Sequence, residues 1–201
     1  MVRKIRLGAE HWTAEHIPPG ETFTRDRVAE LLRHLEMNFG ETIRRMTKDF
    51  PDREKYPALP AVKLLEGCDG KYPDIWMLGW RGEEGEVDGT DIHDHMDSEV
   101  AILVHEGDVQ EEVLAFDAEE WKQGAASMSF HRAERTLKEG SLLTIGAPYL
   151  HLVRGRPGQR LAVTIHGYYP PLDAMQWFEI RGGQLVKGGE WHENRGCQGG
   201  A

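Results

Sequence analysis

The chain has 201 residues, a length that suits one domain with an ample hydrophobic core. Its formal net charge of −10 argues against nucleic acid or an anionic membrane surface as a partner. No apolar run approaches the ~20 residues that span a bilayer. Residues 1–7 are partly basic and lack the apolar segment of a secretory signal, and the two cysteines, Cys68 and Cys197, lie far apart. We therefore expect a cytoplasmic protein with reduced thiols.

Two stretches before residue 61 show the spacing of amphipathic helices. Thr24 is placed to cap the first helix, in which apolar side chains recur every three or four residues. Gly40 is expected to end this helix, and residues 41–50 predict a second, shorter one. Several prolines then mark an irregular connector. Residues 1–60 therefore predict an N-terminal pair of α-helices followed by a connector.

From residue 61 onward the pattern changes to short apolar runs separated by Gly, Pro and Asp. The predicted strands cover residues 61–65, 75–80, 91–95, 100–105, 110–116, 141–145, 151–154, 161–169 and 177–180. Many short strands separated by turn signals are typical of a sandwich or barrel. We expect a single, mainly β domain over residues 1–201, with a barrel at 61–181 and a Gly-rich C-terminal segment at 182–201.

Three histidines are candidate metal ligands. His93 and His95 alternate along a predicted strand, so their side chains lie on one face. His151 follows a Gly/Pro turn that can direct its side chain to a fixed point inside a barrel. Histidine is the commonest transition-metal ligand, and a set of three leaves coordination positions open for a substrate or O2. The alternative interpretation, that the pair on the strand is structural, stays open.

Glu99 is a candidate fourth ligand, because three His and one Glu are a common set for iron or manganese. Counting back from the turn at Gly107 places Val100 on the inward face of its strand. Glu99, the preceding residue, would then face away from the histidines. We therefore expect a set of three ligands.

A second polar group lies on one later strand. Thr164, His166 and Tyr168 alternate, so all three side chains face the same way. They can be the polar part of an amphipathic face. They can also form a hydrogen-bonded relay from hydroxyl to imidazole to phenol, because an unpaired buried polar group costs ~1–3 kcal/mol. A phenol held in this way can donate a hydrogen bond to O2 or substrate, or pass a proton.

Taken together, these motifs resemble the cupin superfamily, and within it the cysteine dioxygenase-like thiol dioxygenases. The segment around His93 and His95 resembles the family's first metal motif, and residues 140–151 resemble the second. Residues 164–173 resemble the family's Ser-His-Tyr strand and its Pro-Pro turn, with threonine keeping the hydroxyl of the serine. The resemblance extends over about residues 61–178.

The resemblance implies a cupin-type β-barrel, or jelly roll, and a non-heme Fe(II) dioxygenase. Such an enzyme oxidises a small thiol or thione to its sulfinic acid with O2. The implied iron ligands are His93, His95 and His151. The implied catalytic residues are Tyr168, His166 and Thr164.

The residues expected to contact the substrate differ from those of the family. When the family pattern is aligned through Trp80, Lys63 stands where the family has the Arg that holds a substrate carboxylate, and Ala61 stands where it has a nearby Tyr. The Cys after the Pro-Pro turn falls on Met175. Lysine keeps the charge but loses the bidentate fork that binds a carboxylate. These four positions are the predicted substrate contacts, and they indicate a substrate bulkier than L-cysteine, such as ergothioneine or mercaptosuccinate.

Other functions fit the same residues. The chain can be a cysteine dioxygenase proper, or a non-catalytic cupin that binds a small molecule as a sensor or carrier. A metal-dependent cupin isomerase or another oxygenase is a third interpretation. In each case we expect a monomer or small homo-oligomer with a small-molecule partner.

Overall fold

A computed structural model describes residues 3–4, 24–55, 58–67, 72–83, 85–117, 127–146 and 149–192. Both cysteines and most of the first 23 residues lie outside this part of the chain. The described residues form one helix, α1 (Arg25–Thr47), and strands β1 (Arg3–Lys4), β2 (Ala61–Leu65), β3 (Asp74–Glu83), β4 (Glu86–Val87), β5 (Ile92–His93), β6 (Glu99–Glu106), β7 (Val109–Phe116), β8 (Ser127–Met128), β9 (Phe130–Leu137), β10 (Leu142–Ile145), β11 (Leu150–Gly155), β12 (Gln159–Tyr169), β13 (Ala174–Arg181) and β14 (Gln184–His192). The prediction of a mainly β protein is confirmed.

Helix α1 begins where the sequence predicts it. The side chain of Thr24 accepts a hydrogen bond from the backbone N of Arg27 at 3.3 Å, which satisfies one of the free N–H groups at the helix start. The helix does not end at Gly40 but runs on to Thr47, so the predicted pair of helices is only partly confirmed: one continuous helix covers most of the residues predicted for the two. A helical glycine costs only ~1 kcal/mol relative to alanine. The buried face that includes Leu35 and Ile43 passes through Gly40 without a break, so packing outweighs this cost.

The strands form two sheets that lie against each other. The first has the order β1-β2-β3-β12-β6-β10, with β4 paired to β3, and the second has the order β8-β14-β13-β5-β11-β7-β9. Strand β3 shows how the first sheet is buried on both faces. Its Ile75 and Met77 pack in the core with helix α1, whereas Trp76, Leu78 and Trp80 line a cavity on the opposite face. The cavity therefore lies on the face of the first sheet that is turned away from the helix.

Glycine lets helix α1 approach the first sheet closely. A Cβ at Gly167 of β12 would lie 2.4 Å from Cγ1 of Val28 on the helix, which is closer than real Cβ contacts allow. This contact supports strand β12 from behind, and His166 and Tyr168 on either side of the glycine point away from the helix into the cavity.

In the described residues, no helix combines the length and the apolar composition that crossing a membrane requires.

Two long strands were not predicted. Strand β9 lies at an edge of the second sheet, and its mostly exposed side chains lack the apolar alternation of a half-buried strand. Strand β14 falls in the segment predicted as Gly-rich, yet it pairs with β13 and with β8. Because Trp191 of β14 lines the cavity, the second sheet extends past the predicted end of the barrel at residue 181.

Candidate metal centre

The three candidate histidines come together between the two sheets. Strand β5 lies between β11 and β13, and His93 and His151 are direct cross-strand partners. His95 follows β5, and the three ring centroids are 4.7–5.0 Å apart. One nitrogen from each ring lies within 4.8 Å of the others, and each side chain is at most 5% exposed. The geometry therefore unites the pair on one strand with the distant third histidine.

The chemistry of these nitrogens fits a metal ion. Burial, and then the nearby His151, lower the pKa of His93 to about 3, while burial, His151 and His93 lower the pKa of His95 well below its ordinary value. A neutral imidazole has one N–H and one lone pair. Nδ1 of His93 lies 2.8 Å from the carbonyl oxygen of Asp91, and Nδ1 of His151 lies 2.8 Å from Oε1 of Glu111. Both acceptors require the hydrogen on Nδ1, so the lone pairs are on Nε2.

Glu99 does not belong to this group of nitrogens. Val100 packs with Tyr168 on the cavity side of β6, and Tyr168 is its cross-strand partner. Adjacent side chains on a strand point to opposite faces, so Glu99 points away from the histidines. The position of Val100 agrees with the inward face expected from the sequence.

Glu111 of β7 is a buried residue of this site that the sequence analysis missed. Its side chain is fully buried, and its second oxygen accepts a hydrogen bond from Nε of Arg135 at 2.6 Å. The Tyr149 hydroxyl donates to Oε1 at 3.3 Å. Burial raises the pKa of Glu111, but the hydrogen bonds from His151 and Arg135 outweigh it and lower the pKa overall. Glu111 is therefore a carboxylate that fixes the tautomer and direction of the His151 ring.

Thr164, His166 and Tyr168 form the hydrogen-bonded chain that their alternation predicted. Oγ1 of Thr164 lies 2.8 Å from Nε2 of His166, and Nδ1 of His166 lies 3.1 Å from the Tyr168 oxygen. At the other end, the indole N–H of Trp80 donates to Oγ1 of Thr164 at 2.7 Å. Burial, and then His151, lower the pKa of His166 to about 3, so this ring is neutral.

The direction of this chain follows from the Thr164 hydroxyl, which accepts from the donor-only indole of Trp80 and has Nε2 of His166 as an acceptor for its own hydrogen. The Thr164 hydroxyl accepts from Trp80 and gives its own hydrogen to Nε2 of His166. Nδ1 of His166 then carries the hydrogen and donates to the Tyr168 oxygen. Burial, and then the charge of Asp74, raise the pKa of Tyr168, which keeps the phenol protonated. With Nδ1 of His166 donating to the phenol oxygen, the phenol hydrogen remains available to a ligand.

A cavity of about 250 Å³ lies beside these groups. His93, His151, His166 and Tyr168 contribute to its wall, and most of the remaining lining is apolar or aromatic. The predicted substrate contacts Ala61, Trp80 and Met175 also line it. The cavity thus lies next to both the histidine cluster and the phenol, where a small molecule would contact both.

Comparison with known proteins agrees with this geometry. The family model described as cysteine dioxygenase type I matches residues 22–181, well over half of the chain. The chain belongs to the cysteine dioxygenase type I family. The resemblance noted in the sequence motifs is thereby confirmed.

Individual members of the family match part of the chain. Cysteine dioxygenase type 1 of Rattus norvegicus is 30% identical over 125 residues, which cover 62% of this chain and 58% of the rat protein. The enzyme of Homo sapiens is 29% identical over the same shares. The matched part thus spans less than two thirds of these relatives. A solved structure from Klebsiella pneumoniae, an uncharacterized protein with a double-stranded beta-helix domain, is 11% identical, with a TM-score of 0.39 over 56% of this chain and 77% of its own.

Lys63 is the predicted substrate contact that does not line the cavity. Its ammonium lies 3.7 Å from Oδ2 of Asp74 and 3.8 Å from Oε1 of Glu66, and it is 4.6 Å from the centroid of the Trp76 ring. The side chain is buried. To hold a substrate carboxylate, as the family resemblance predicts, this ammonium would have to leave two carboxylates that already balance it.

Proposed function

We propose that this chain is a non-heme Fe(II)-dependent thiol dioxygenase that oxidises a small thiol or thione with O2 to its sulfinic acid. For a thiol the reaction adds both oxygen atoms to sulfur, so that RSH and O2 give RSO2H. The observation that carries the proposal is the cluster of three buried histidines whose ring nitrogens converge beside a protonated phenol and a cavity. Membership of the cysteine dioxygenase type I family supports it.

Each group of the site has a part in this proposal. A bound iron ion would supply the positions at which a thiolate and O2 meet, together with the electrons that activate O2. His93 and His151 would hold the ion through their Nε2 lone pairs and His95 through a ring nitrogen, and Glu111 would keep His151 in the required tautomer. The largely apolar wall excludes water from the reacting groups.

Tyr168 would donate a hydrogen bond to the oxygen or sulfur atoms of the bound reactants. Thr164 and His166 orient the phenol oxygen, and the indole N–H of Trp80 holds Thr164 at the other end of the chain. In this proposal Tyr168 is the catalytic residue, and the other members of the chain are positioning residues. The polarity of the chain directs the phenol hydrogen outward, toward the reactants.

The substrate is proposed to be bulkier than L-cysteine, for example ergothioneine or mercaptosuccinate. Two observations support substrate contacts that differ from those of the family. Ala61 lines the cavity where the resemblance predicts a tyrosine, and Lys63 lies outside the lining with its charge already balanced. We further propose a cytoplasmic setting, where small thiols stay reduced, and a monomer or small homo-oligomer.

An oxygen electrode tests the proposal with iron-loaded protein and a panel of thiols that includes L-cysteine, 3-mercaptopropionate, mercaptosuccinate and ergothioneine. We expect thiol-dependent O2 uptake with one sulfinate formed per O2, and no uptake by the His151→Ala variant. Iron binding without uptake for any thiol would indicate a non-catalytic binding cupin. Turnover without sulfinate would indicate an isomerase or another oxygenase. If L-cysteine gives the highest kcat/KM, the chain is a cysteine dioxygenase proper.

A further inference from the structure

Four of the six tryptophans of the chain line the cavity. Trp76 and Trp80 come from β3, whereas Trp177 of β13 and Trp191 of β14 come from the facing sheet. Trp80 is nearly fully buried and its N–H is bonded to Thr164, while the other three are half-buried. Indole rings from both sheets therefore surround the same space.

This aromatic wall lies close to the histidine cluster. Trp177 and His93 are cross-strand partners, and their ring centroids are 5.3 Å apart. Met175, two residues before Trp177 on β13, is the cross-strand partner of Trp191. A molecule whose sulfur lies at the histidines therefore has its far end among the indole rings after only a few bonds.

The wall carries no fixed charge. Among the described residues that line the cavity there is no Lys, Arg, Asp or Glu. An anionic group there would have no cationic side chain in the lining to pair with. The face of an indole ring attracts cations instead, and aromatic cages that recognise quaternary ammonium groups work in this way.

One ring of this wall already contacts a cation of the protein. The ammonium of Lys63 lies 4.6 Å from the centroid of the Trp76 ring, within the ~6 Å over which cation–π attraction acts. Asp74 and Glu66 surround that ammonium with two carboxylates, so this end of the cavity is not made positive by the lysine. The net charge of −10 adds a general attraction for cations.

We propose that the substrate carries a quaternary ammonium group, which packs against the rings of Trp76, Trp177 and Trp191 while its sulfur lies at the histidine cluster. This inference rests on the proposed thiol dioxygenase function and narrows its substrate class. Of the two examples named above, ergothioneine has such a group beside a single carboxylate, whereas mercaptosuccinate has two carboxylates and no cationic group.

A binding experiment tests the ammonium site without iron and without turnover. Choline and its uncharged carbon isostere, 3,3-dimethylbutan-1-ol, have the same shape and differ in the charged nitrogen. Titration of metal-free protein, followed by tryptophan fluorescence, should give a Kd for choline at least tenfold lower than for the isostere. Equal Kd values, or tighter binding of the isostere, would overturn the inference whatever the catalytic activity.

A matched pair of thiols tests the same site during turnover. Thiocholine and 3,3-dimethylbutane-1-thiol differ in the same way, and iron-loaded protein should oxidise thiocholine with a kcat/KM at least tenfold higher. If the protein oxidises other thiols but shows no preference within this pair, the ammonium site is wrong and the dioxygenase stands. If it oxidises no thiol but binds choline selectively, the dioxygenase is wrong and the ammonium site stands.

Variants identify the rings that bind. Trp177→Leu and Trp191→Leu keep an apolar side chain but remove the ring, and each should reduce the preference for choline over its isostere several-fold. Phe130→Leu on β9, which lies outside this cavity, is the matched control and should leave the preference unchanged. If the tryptophan variants do not fold, protein labelled with fluorotryptophan keeps the shape and weakens the ring faces. An unchanged preference in the labelled protein would contradict the inference.

Discussion

The Glu111→Gln variant tests how the metal centre is held. In the wild-type protein the carboxylate accepts hydrogen bonds from Nδ1 of His151 at 2.8 Å and from Nε of Arg135 at 2.6 Å. Glutamine keeps the shape but offers one oxygen and one NH2 group. In either orientation of the amide, its NH2 group faces Nδ1 of His151 or Nε of Arg135, and both of these nitrogens donate hydrogen bonds in this site. One buried hydrogen bond is therefore lost, and His151 loses a charged acceptor.

The magnitude follows from this lost contact. A hydrogen bond to a charged group contributes ~1.5–3 kcal/mol. Removal of the group that orients a metal-bound histidine typically lowers metal affinity ~10–100-fold, which corresponds to about 1.4–2.7 kcal/mol. Because the two ranges agree, we expect the Kd of Glu111→Gln for Fe(II) to rise by one to two orders of magnitude.

Competition with a chromophoric chelator under anaerobic conditions measures this Kd. Glu112→Gln is the matched control, because Glu112 is the next residue on β7, is also buried, and pairs with Arg132 at 3.1 Å on the opposite face. It makes the same chemical change at similar burial and should leave the Kd for Fe(II) unchanged. If Glu111→Gln binds iron as tightly as the wild type, or both variants weaken binding equally, Glu111 does not hold the metal centre.

Replacing any one of the three clustered histidines with alanine should abolish iron retention in elemental analysis, whereas Glu99→Gln should keep most of the iron; loss of iron from the latter would make Glu99 a ligand. Tyr168→Phe should lower turnover ~10²–10⁴-fold or uncouple O2 uptake from sulfinate formation, because it removes a positioned donor but no packing volume. An unchanged rate and coupling ratio would exclude Tyr168 from the mechanism. Lys63→Met should lower the free energy of unfolding in urea by about 3 kcal/mol, because it removes the ammonium beside the buried Asp74 carboxylate. It should also leave the ratio of kcat/KM for acidic and neutral thiols unchanged, and a selective loss for acidic thiols would instead support the predicted carboxylate contact.

Patterns that repeat within one element were readable in the sequence. His93 and His95 share a face, as do Thr164, His166 and Tyr168, because side chains two residues apart on a strand always point the same way. The start of the helix at Thr24 was equally readable, since a cap is a contact between near neighbours in the chain.

The continuation of helix α1 through Gly40 depended on tertiary packing. The sequence offered a glycine, which is a local signal for a helix end. The apolar face on both sides of Gly40 packs against the first sheet, and this packing keeps the helix continuous. Strand β14 was missed for a similar reason, because its glycines weaken the local signal and its pairing with β13 supplies the order.

Some contacts of the site could likewise be predicted from the sequence, and others could not. The sequence determined which side chains share a strand face, and therefore the pair of histidines and the polar row on β12. Only the tertiary structure decided that Glu111 supports His151, that Lys63 lies against Asp74, and that tryptophans from both sheets surround one cavity. The physical reason is that these contacts join residues far apart in the chain. Their meeting depends on which strands pair, in which register, and on how the two sheets pack, and none of these is encoded in the spacing along a single strand.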